Sequence, residues 1–298
     1  LGNSWIWKHF GLDCVKLNEI KKNLLDEIFK ALGLGNSHPI RPLLEPIFVP
    51  AAGRFAEVAA RFDDDVAAYG FRAAARRLLP YFTREVRVRG AEHIPVEGPL
   101  LVVSNHPGTV DGLVIASSLP RPDLKIVVSG VPFIRSLAAT TNHLIYSSLN
   151  TFERMNVVRS AIRHLENGGA VLIFPSGGID PDPAVMTGAL GELDNWSPSL
   201  DVILRRVPAT RVLIAAVSGV LHAGWVRSPL TLVRSGRRNQ QRVAEFFQII
   251  QQTLFPNSLM ISPSVCFAEP LQIAPNGNSP LLPAIIASAK AHFHQLKG

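Results

Sequence analysis

Cysteine is almost missing from this 298-residue chain: Cys14 and Cys266 stand far apart, with no metal-ligand spacing around either. That argues against a disulfide framework and a zinc site, and a reducing compartment is expected. Long apolar runs are missing too. Apolar residues make up 47% of the chain and mean hydropathy is +0.20, yet no run reaches the roughly 18 apolar residues of a spanning helix. The nearest, Val212 to Val226, is fenced by Arg211 and Arg227 and broken by Ser218, Gly219, His222 and Gly224, so it reads as a buried strand plus a loop. The opening Leu-Gly-Asn-Ser-Trp-Ile-Trp-Lys has no basic segment followed by an apolar core, so a secretory signal is not expected. Charged residues are only 18%, which leaves ample material for a core and excludes global disorder. Acids are outnumbered: the net charge is +7 and the pI about 9.8, which suggests an anionic partner. No helix-turn-helix, RNP or finger signature is present, so nucleic acid is not the expected partner. A membrane surface or a phosphorylated substrate suits the apolar composition better.

What is present is a regular alternation of elements. Val15, Leu17, Ile20, Leu24, Ile28 and Leu32 have helical spacing, with lysines between them and Gly33 and Gly35 as the stop. Two readings are open for this helix: an interfacial one anchored by Trp5, Trp7 and Phe10, or one packed on the domain. Pro39, Pro42, Pro46 and Pro50 make residues 36–50 a linker that is not expected to be helical. A helix is expected over 52–79, with Phe55, Val58, Phe62, Val66 and Tyr69 on one face and Arg76 and Arg77 near its end. Strands follow at 85–89, 100–103, 124–128 and 170–174, with helices at 111–119 and 153–167 and a loop at 129–135. Strands alternating with helices give an α/β fold with a mostly parallel central sheet flanked by helices. The N-terminal helical extension and Pro-rich linker occupy 1–80, and the catalytic domain 81–298. In such sheets ligands bind at the carboxyl ends of the strands. Both polar turns, 104–111 and 175–178, fall at such ends.

The stretch Leu100-Leu-Val-Val-Ser-Asn-His-Pro-Gly-Thr-Val-Asp111 carries the clearest chemistry. On one continuous helix His106 and Asp111 would sit roughly 140° apart, at about 100° per residue. With the histidine at a strand end and the aspartate in the next helix's first turn, the carboxylate folds back onto the imidazole. A histidine so oriented is a general base. The bland alternative is a loop histidine beside a helix-capping aspartate. No Gly-x-Ser-x-Gly elbow supplies a nucleophile, and Ser104 points away from the imidazole. The proton taken therefore belongs to a substrate hydroxyl.

Asn105-His-Pro-Gly-Thr-Val-Asp111, preceded by Gly98-Pro-Leu-Leu-Val-Val-Ser, resembles the HX4D motif of glycerolipid acyltransferases. That superfamily includes the glycerol-3-phosphate and lysophosphatidic acid acyltransferases. Gly130-Val-Pro-Phe-Ile-Arg135 resembles its second motif, whose arginine helps hold the acceptor. Phe174-Pro-Ser-Gly177 resembles the third, usually Phe-Pro-Glu-Gly, and strand 212–217 falls where an apolar fourth block is expected. The likeness spans about residues 85–275. It implies an O-acyltransferase of phospholipid biosynthesis that moves a fatty acyl group from acyl-CoA or acyl-carrier protein to a lipid alcohol. It implies no metal and no cofactor beyond the donor, and a cytoplasmic protein peripherally attached to a membrane surface. His106 and Asp111 are the expected catalytic pair. Asn105, Gly130, Arg135, Pro175, Ser176, Gly177 and Gly178 are the expected substrate-binding residues, with N–H groups around 175–178 as oxyanion donors. A thioesterase or lipid hydrolase using water, and a non-catalytic membrane-binding homologue, are the alternatives.

Two departures bear on the acceptor. Ser176 replaces the third motif's acid, and Asp180 and Asp182 stand where a phosphate-binding cation is usual. Either they are solvated turn residues beside Pro181 and Pro183, or they weaken phosphate binding and favour a neutral alcohol. Against this, residues 202–244 hold Arg205, Arg206, Arg211, Arg227, Arg234, Arg237, Arg238 and Arg242 without one Asp or Glu. With no local acids to pair them, two readings are open: they face anions such as lipid headgroups or the phosphates of a coenzyme A donor, or they form a solvated cationic face. Trp196 either covers an acyl channel within the 185–200 loop or packs in the core.

Overall fold

The computed structural model describes residues 14–35, 38–129, 132–147, 151–272 and 280–293. Its strands are β1 (Arg87–Arg89), β2 (Leu100–Ser104), β3 (Leu124–Ser129), β4 (Leu144–Ser147), β5 (Ala170–Ile173), β6 (Arg211–Ser218), β7 (Ser264–Phe267) and β8 (Leu271–Gln272). They form one sheet in the order β1-β7-β6-β2-β5-β3-β4, with β8 also beside β6. Strand β2 runs parallel to both β5 and β6, β3 to β4 and β5, and β1 to β7. The pairings of β6 with β7 and with β8 are antiparallel. The architecture is the expected α/β type with a mostly parallel sheet.

The apolar runs are explained by burial on both faces. Leu100 and Val102 of β2, Leu172 of β5 and Leu213 of β6 point into one core. Leu101, Val103, Val171 and Ile214 point into the other. The long helices are α1 (Cys14–Ala31), α2 (Arg41–Tyr69), α3 (Phe71–Leu78), α4 (Asp111–Ser118), α5 (Thr151–Glu166), α6 (Ser199–Arg206), α7 (Arg237–Leu254) and α8 (Leu282–Phe293). Helices α2, α3 and α4 cover the first face through Phe62, Val66, Phe71, Val114 and Ile115. Helices α5, α6 and α8 cover the second through Leu165, Ile203 and Ile285. Phe62 to Phe71 thus share a core with the sheet, across the change from helices to strands near residue 80.

Helix α1 is packed on the protein. Leu17, Ile20, Leu24 and Ile28 are buried against Phe48, Ala52 and Ala56 of α2, and Lys16 pairs with Asp63 at 2.7 Å. Trp5, Trp7 and Phe10 lie outside the described residues. The Pro-rich linker is a correction: α2 begins at Arg41 and runs through Pro46 and Pro50. Pro42 sits in its first turn, where a missing N–H has no partner to lose. Pro42, Pro46 and Pro50 fall four apart on the exposed face. The carbonyls that Pro46 and Pro50 leave without a donor therefore face water, while Phe48, Ala51 and Ala52 are buried. The single helix expected over 52–79 breaks at Gly70, whose φ of +81° lies outside the helical region. The loop expected at 129–135 contains a helical turn, Pro132–Arg135. Strands β4, β7 and β8 are additions that the pattern of longer apolar runs did not mark. Among the described residues no helix is long and apolar enough to cross a membrane.

At the edge of the sheet, Gly90 has φ +70°, and a Cβ there would lie 2.1 Å from the Phe267 carbonyl oxygen. Left-handed backbone costs a side-chain-bearing residue roughly 1–2 kcal/mol before any clash. Gly90→Ala is expected to destabilise the protein by at least about 2 kcal/mol, seen as a lower urea midpoint at unchanged m-value.

Candidate active site

Strand β2 ends against β6, and Asn105 secures the join. Its carboxamide donates to the Val217 carbonyl at 2.8 Å and accepts the Val217 N–H at 2.9 Å. The side chain is 1% exposed, so the expected substrate contact is instead a clamp between the ends of two strands. The next residue, His106, turns out of the sheet. Its Nδ1 lies 2.9 Å from Asp111 Oδ2, an oxygen that also accepts the Gly108 N–H at 3.0 Å. Asp111 opens α4, so the helix's positive end favours its charge. It is 1% exposed, and its Oδ1 is buried with no hydrogen-bond partner among the described residues. With Nδ1 committed to the carboxylate, Nε2 is the nitrogen left for a substrate. The imidazole is 30% exposed and stacks on Phe174, with ring centroids 4.5 Å apart. The strand-to-helix turn thus brings His106 and Asp111 together.

Asp180 and Asp182 are neither solvated nor turned towards an acceptor. They are 1% and 0% exposed. Asp180 Oδ2 accepts the His106 N–H at 2.9 Å, and the Asp180 N–H donates to the His106 carbonyl at 2.8 Å. Asp182 accepts three N–H groups: Ala184 at 3.0 Å, Gly219 at 2.8 Å and Leu221 at 2.9 Å. Burial raises the pKa of both carboxyls, and these N–H donors pull it back. The sequence-based reading failed because Asp-Pro pairs look the same whether a turn faces water or another turn.

Helix α7 supplies a part of the site that sequence reasoning missed. Gln241, Glu245, Gln248 and Gln252 form a buried polar stripe on it. Gln241 donates to the carbonyls of Pro107 at 2.9 Å and Asp180 at 2.6 Å. Glu245 Oε1 accepts the Thr109 N–H, and Gln248 donates to the Val220 carbonyl at 2.9 Å. The 4-3-4 spacing of amides and one acid was the available signal, but such residues on a helix ordinarily face water. Burial by itself disfavours the imidazolium of His106. The charge and hydrogen bond of Asp111, with the charges of Glu245 and Asp180, outweigh it and raise the pKa to about 9.

The remaining expected contacts divide. Ser176 Oγ donates to the Gly178 carbonyl at 3.0 Å, and Pro175 accepts the Ser197 N–H at 3.0 Å. The Gly177 N–H donates to the Phe174 carbonyl at 3.1 Å, so it is spent inside the turn rather than aimed at an oxyanion. Gly178 lies under Arg238, whose Nη1 would be 3.0 Å from a Cβ there. Arg135 is exposed at the carboxyl end of β3, with its guanidinium over the Tyr146 ring at 4.5 Å. Gly130 is outside the described residues. The arginine-rich segment is not an unpaired cationic face: Glu192 binds Arg237 at 2.5 Å and Arg238 at 3.2 Å, and Glu166 binds Arg206 at 3.4 Å. Arg234 donates to the Lys30 and Ala31 carbonyls at 3.2 and 3.3 Å. For Arg206, Arg234, Arg237 and Arg238, acids and carbonyls remote in sequence supply what the segment lacks. Trp196 is 2% exposed and packs in the core behind β5 and β6. No group of three or more His, Cys, Asp or Glu among the described residues is arranged to hold a metal ion.

Removing the Asp182 carboxylate would strand three N–H groups, each costing roughly 1–3 kcal/mol when buried and unpaired. Asp182→Ala is expected to destabilise the protein by about 3 kcal/mol or more in chemical denaturation, or to prevent folding.

Residues 85–196 match the family model described as Acyltransferase. Among solved structures the chain is similar to the 1-acyl-sn-glycerophosphate (LPA) acyltransferase PlsC from Thermotoga maritima. The identity is 16% and the TM-score 0.46, over 94% of this chain and 99% of that one. A search of curated proteins finds no match. Residues 85–196, which hold His106, Asp111, Asp180 and Asp182, are thus the part of the chain that is similar to the acyltransferase family.

Proposed function

We propose that the chain is an O-acyltransferase that moves a fatty acyl group from an acyl thioester to the hydroxyl of a lipid alcohol, with His106 as general base. The observation that carries this reading is the 2.9 Å contact between His106 Nδ1 and buried Asp111, which leaves Nε2 free to take a proton at the carboxyl end of the sheet. The acceptor's O–H proton passes to Nε2 as its oxygen bonds the thioester carbonyl carbon. The tetrahedral oxyanion then collapses, the C–S bond breaks, and the departing thiolate takes the proton back from the imidazolium. Asp111 stabilises the imidazolium between these steps. On the 175–178 turn the Gly178 N–H has only a 3.5 Å contact to Ser176 Oγ, which leaves it available as a donor to the oxyanion. Acyl-CoA or acyl-carrier protein would be the donor, and Arg135 the acceptor's cation.

The base acts only when neutral. With a His106 pKa of about 9, kcat/KM should fall as pH drops below that value and level off above it. His106→Ala should lose at least about 100-fold in transfer of labelled acyl groups, the scale of general-base catalysis. Undiminished transfer by a folded mutant would sink the mechanism.

Peripheral membrane attachment accompanies this reading. Leu43 and Ile47 near the start of α2 are 75% and 63% exposed, and Leu232 and Val233 are 71% and 58% exposed. The Arg234 bonds to Lys30 and Ala31 tie the second pair to the end of α1. Exposed aliphatic side chains clustered at one end of the N-terminal helices suit a lipid surface. The double variant Leu43→Asp/Ile47→Asp is expected to sediment less with anionic vesicles, and equal sedimentation would count against these residues as the contact.

A further inference from the structure

The acid at Glu245 has no part in the proton transfers above, yet it is 8% exposed and lies at the catalytic turn. Its Oε1 accepts the Thr109 N–H from the middle of the turn that separates His106 from Asp111. The approach is close enough that a Cβ on Gly108 would come within 3.0 Å of the same oxygen. Anchoring the turn needs only an acceptor, which a glutamine would provide. The neighbouring stripe positions, Gln241, Gln248 and Gln252, are indeed neutral amides bonded to backbone. The acid stands at the stripe position that meets the middle of the turn after His106.

We propose that Glu245 is a positioning residue of the acyl-transfer site: it anchors the 107–110 turn and sets a carboxylate charge against the His106 imidazole from helix α7. The consequence for turnover rests on the acyl-transfer reading; the action on the imidazole does not. Three acids surround the His106 turn: Asp111 of α4 bonds the imidazole, Asp180 from the turn after β5 accepts the His106 N–H, and Glu245 of α7 accepts the Thr109 N–H. Burial raises the pKa of Glu245 itself, while the Thr109 N–H and the His106 cation favour its charged form. Histidine and glutamate therefore stabilise each other's ionised states. Loss of the Glu245 charge makes His106 give up its proton more readily.

The test is an NMR titration of histidine-labelled full chain, with the His106 signal identified by its disappearance in His106→Ala. Glu245→Gln keeps an acceptor for Thr109 and removes the charge. Its His106 midpoint should fall by about one pH unit, a tenfold loss of proton affinity. The acid limb of kcat/KM should move to lower pH with it. Glu245→Asp keeps the charge but withdraws it from Thr109. Its midpoint should stay nearer the wild-type value, while transfer falls about tenfold or more at every pH. An unmoved midpoint in folded Glu245→Gln overturns the proposal, as does a midpoint that falls equally in Glu245→Asp. A midpoint that moves as expected in a chain that transfers no acyl group upholds the action of Glu245 on His106 and removes only the acyl-transfer reading.

Discussion

The turn that follows the central strand has no strand or helix to satisfy its own backbone, and the organisation of the site follows from that constraint. Buried N–H and carbonyl groups left unpaired are costly, so each needs a partner from elsewhere. The His106 N–H goes to Asp180, and the His106 carbonyl receives the Asp180 N–H. The Pro107 carbonyl goes to Gln241, the Gly108 N–H to Asp111 and the Thr109 N–H to Glu245. Four side chains from three segments thus hold four consecutive residues. Asn105 fixes where the turn starts by clamping β2 to β6.

Supplying these partners has an electrostatic consequence. An N–H group needs an acceptor, and three of the acceptors here are carboxylates. The same bonds that fix the turn therefore gather negative charge around one partly exposed imidazole and raise its pKa to about 9. An imidazole so placed is a stronger base than a free one, and its neutral form predominates only above that pH. Geometry and base strength are coupled through the same atoms, so a substitution that alters one alters the other unless it is isosteric, as glutamine is for glutamate.

Much of this was legible in the sequence, for identifiable reasons. Strands β2, β5 and β6 were readable because strands buried on both faces must be apolar at every position. The His106–Asp111 contact was readable because a strand end, a Pro-Gly break and a helix start leave few ways to place two residues five apart. What failed depended on partners remote in sequence. Asp180 and Asp182 read as turn residues because the N–H groups they serve come from 106, 219 and 221. Arg237 and Arg238 read as unpaired because Glu192 lies outside their segment. Pro46 and Pro50 read as helix breakers because nothing local reveals that their freed carbonyls face solvent. Strand β4 was hidden by its four-residue length and its single fully buried position, Ile145.

Helix α7 shows why the polar stripe matters beyond its hydrogen bonds. On the side away from Gln241, Glu245 and Gln248, its Phe246, Phe247 and Ile250 pack on the core shared by α1 and α2. At about 100° per residue the two sets lie on opposite sides of one cylinder. The helix must therefore satisfy two surfaces at once: an apolar one built by the N-terminal helices and a polar one presented by the 106–109 turn. A residue that sank the stripe into an apolar face would strand the carbonyls of Pro107 and Val220, and one that turned it to water would release Thr109. The N-terminal helices hold the outer side of α7, and so they bear on the site although none of their residues is in it. The glutamines, which a count of apolar residues scores as surface, are the reason the helix has one rotation and no other.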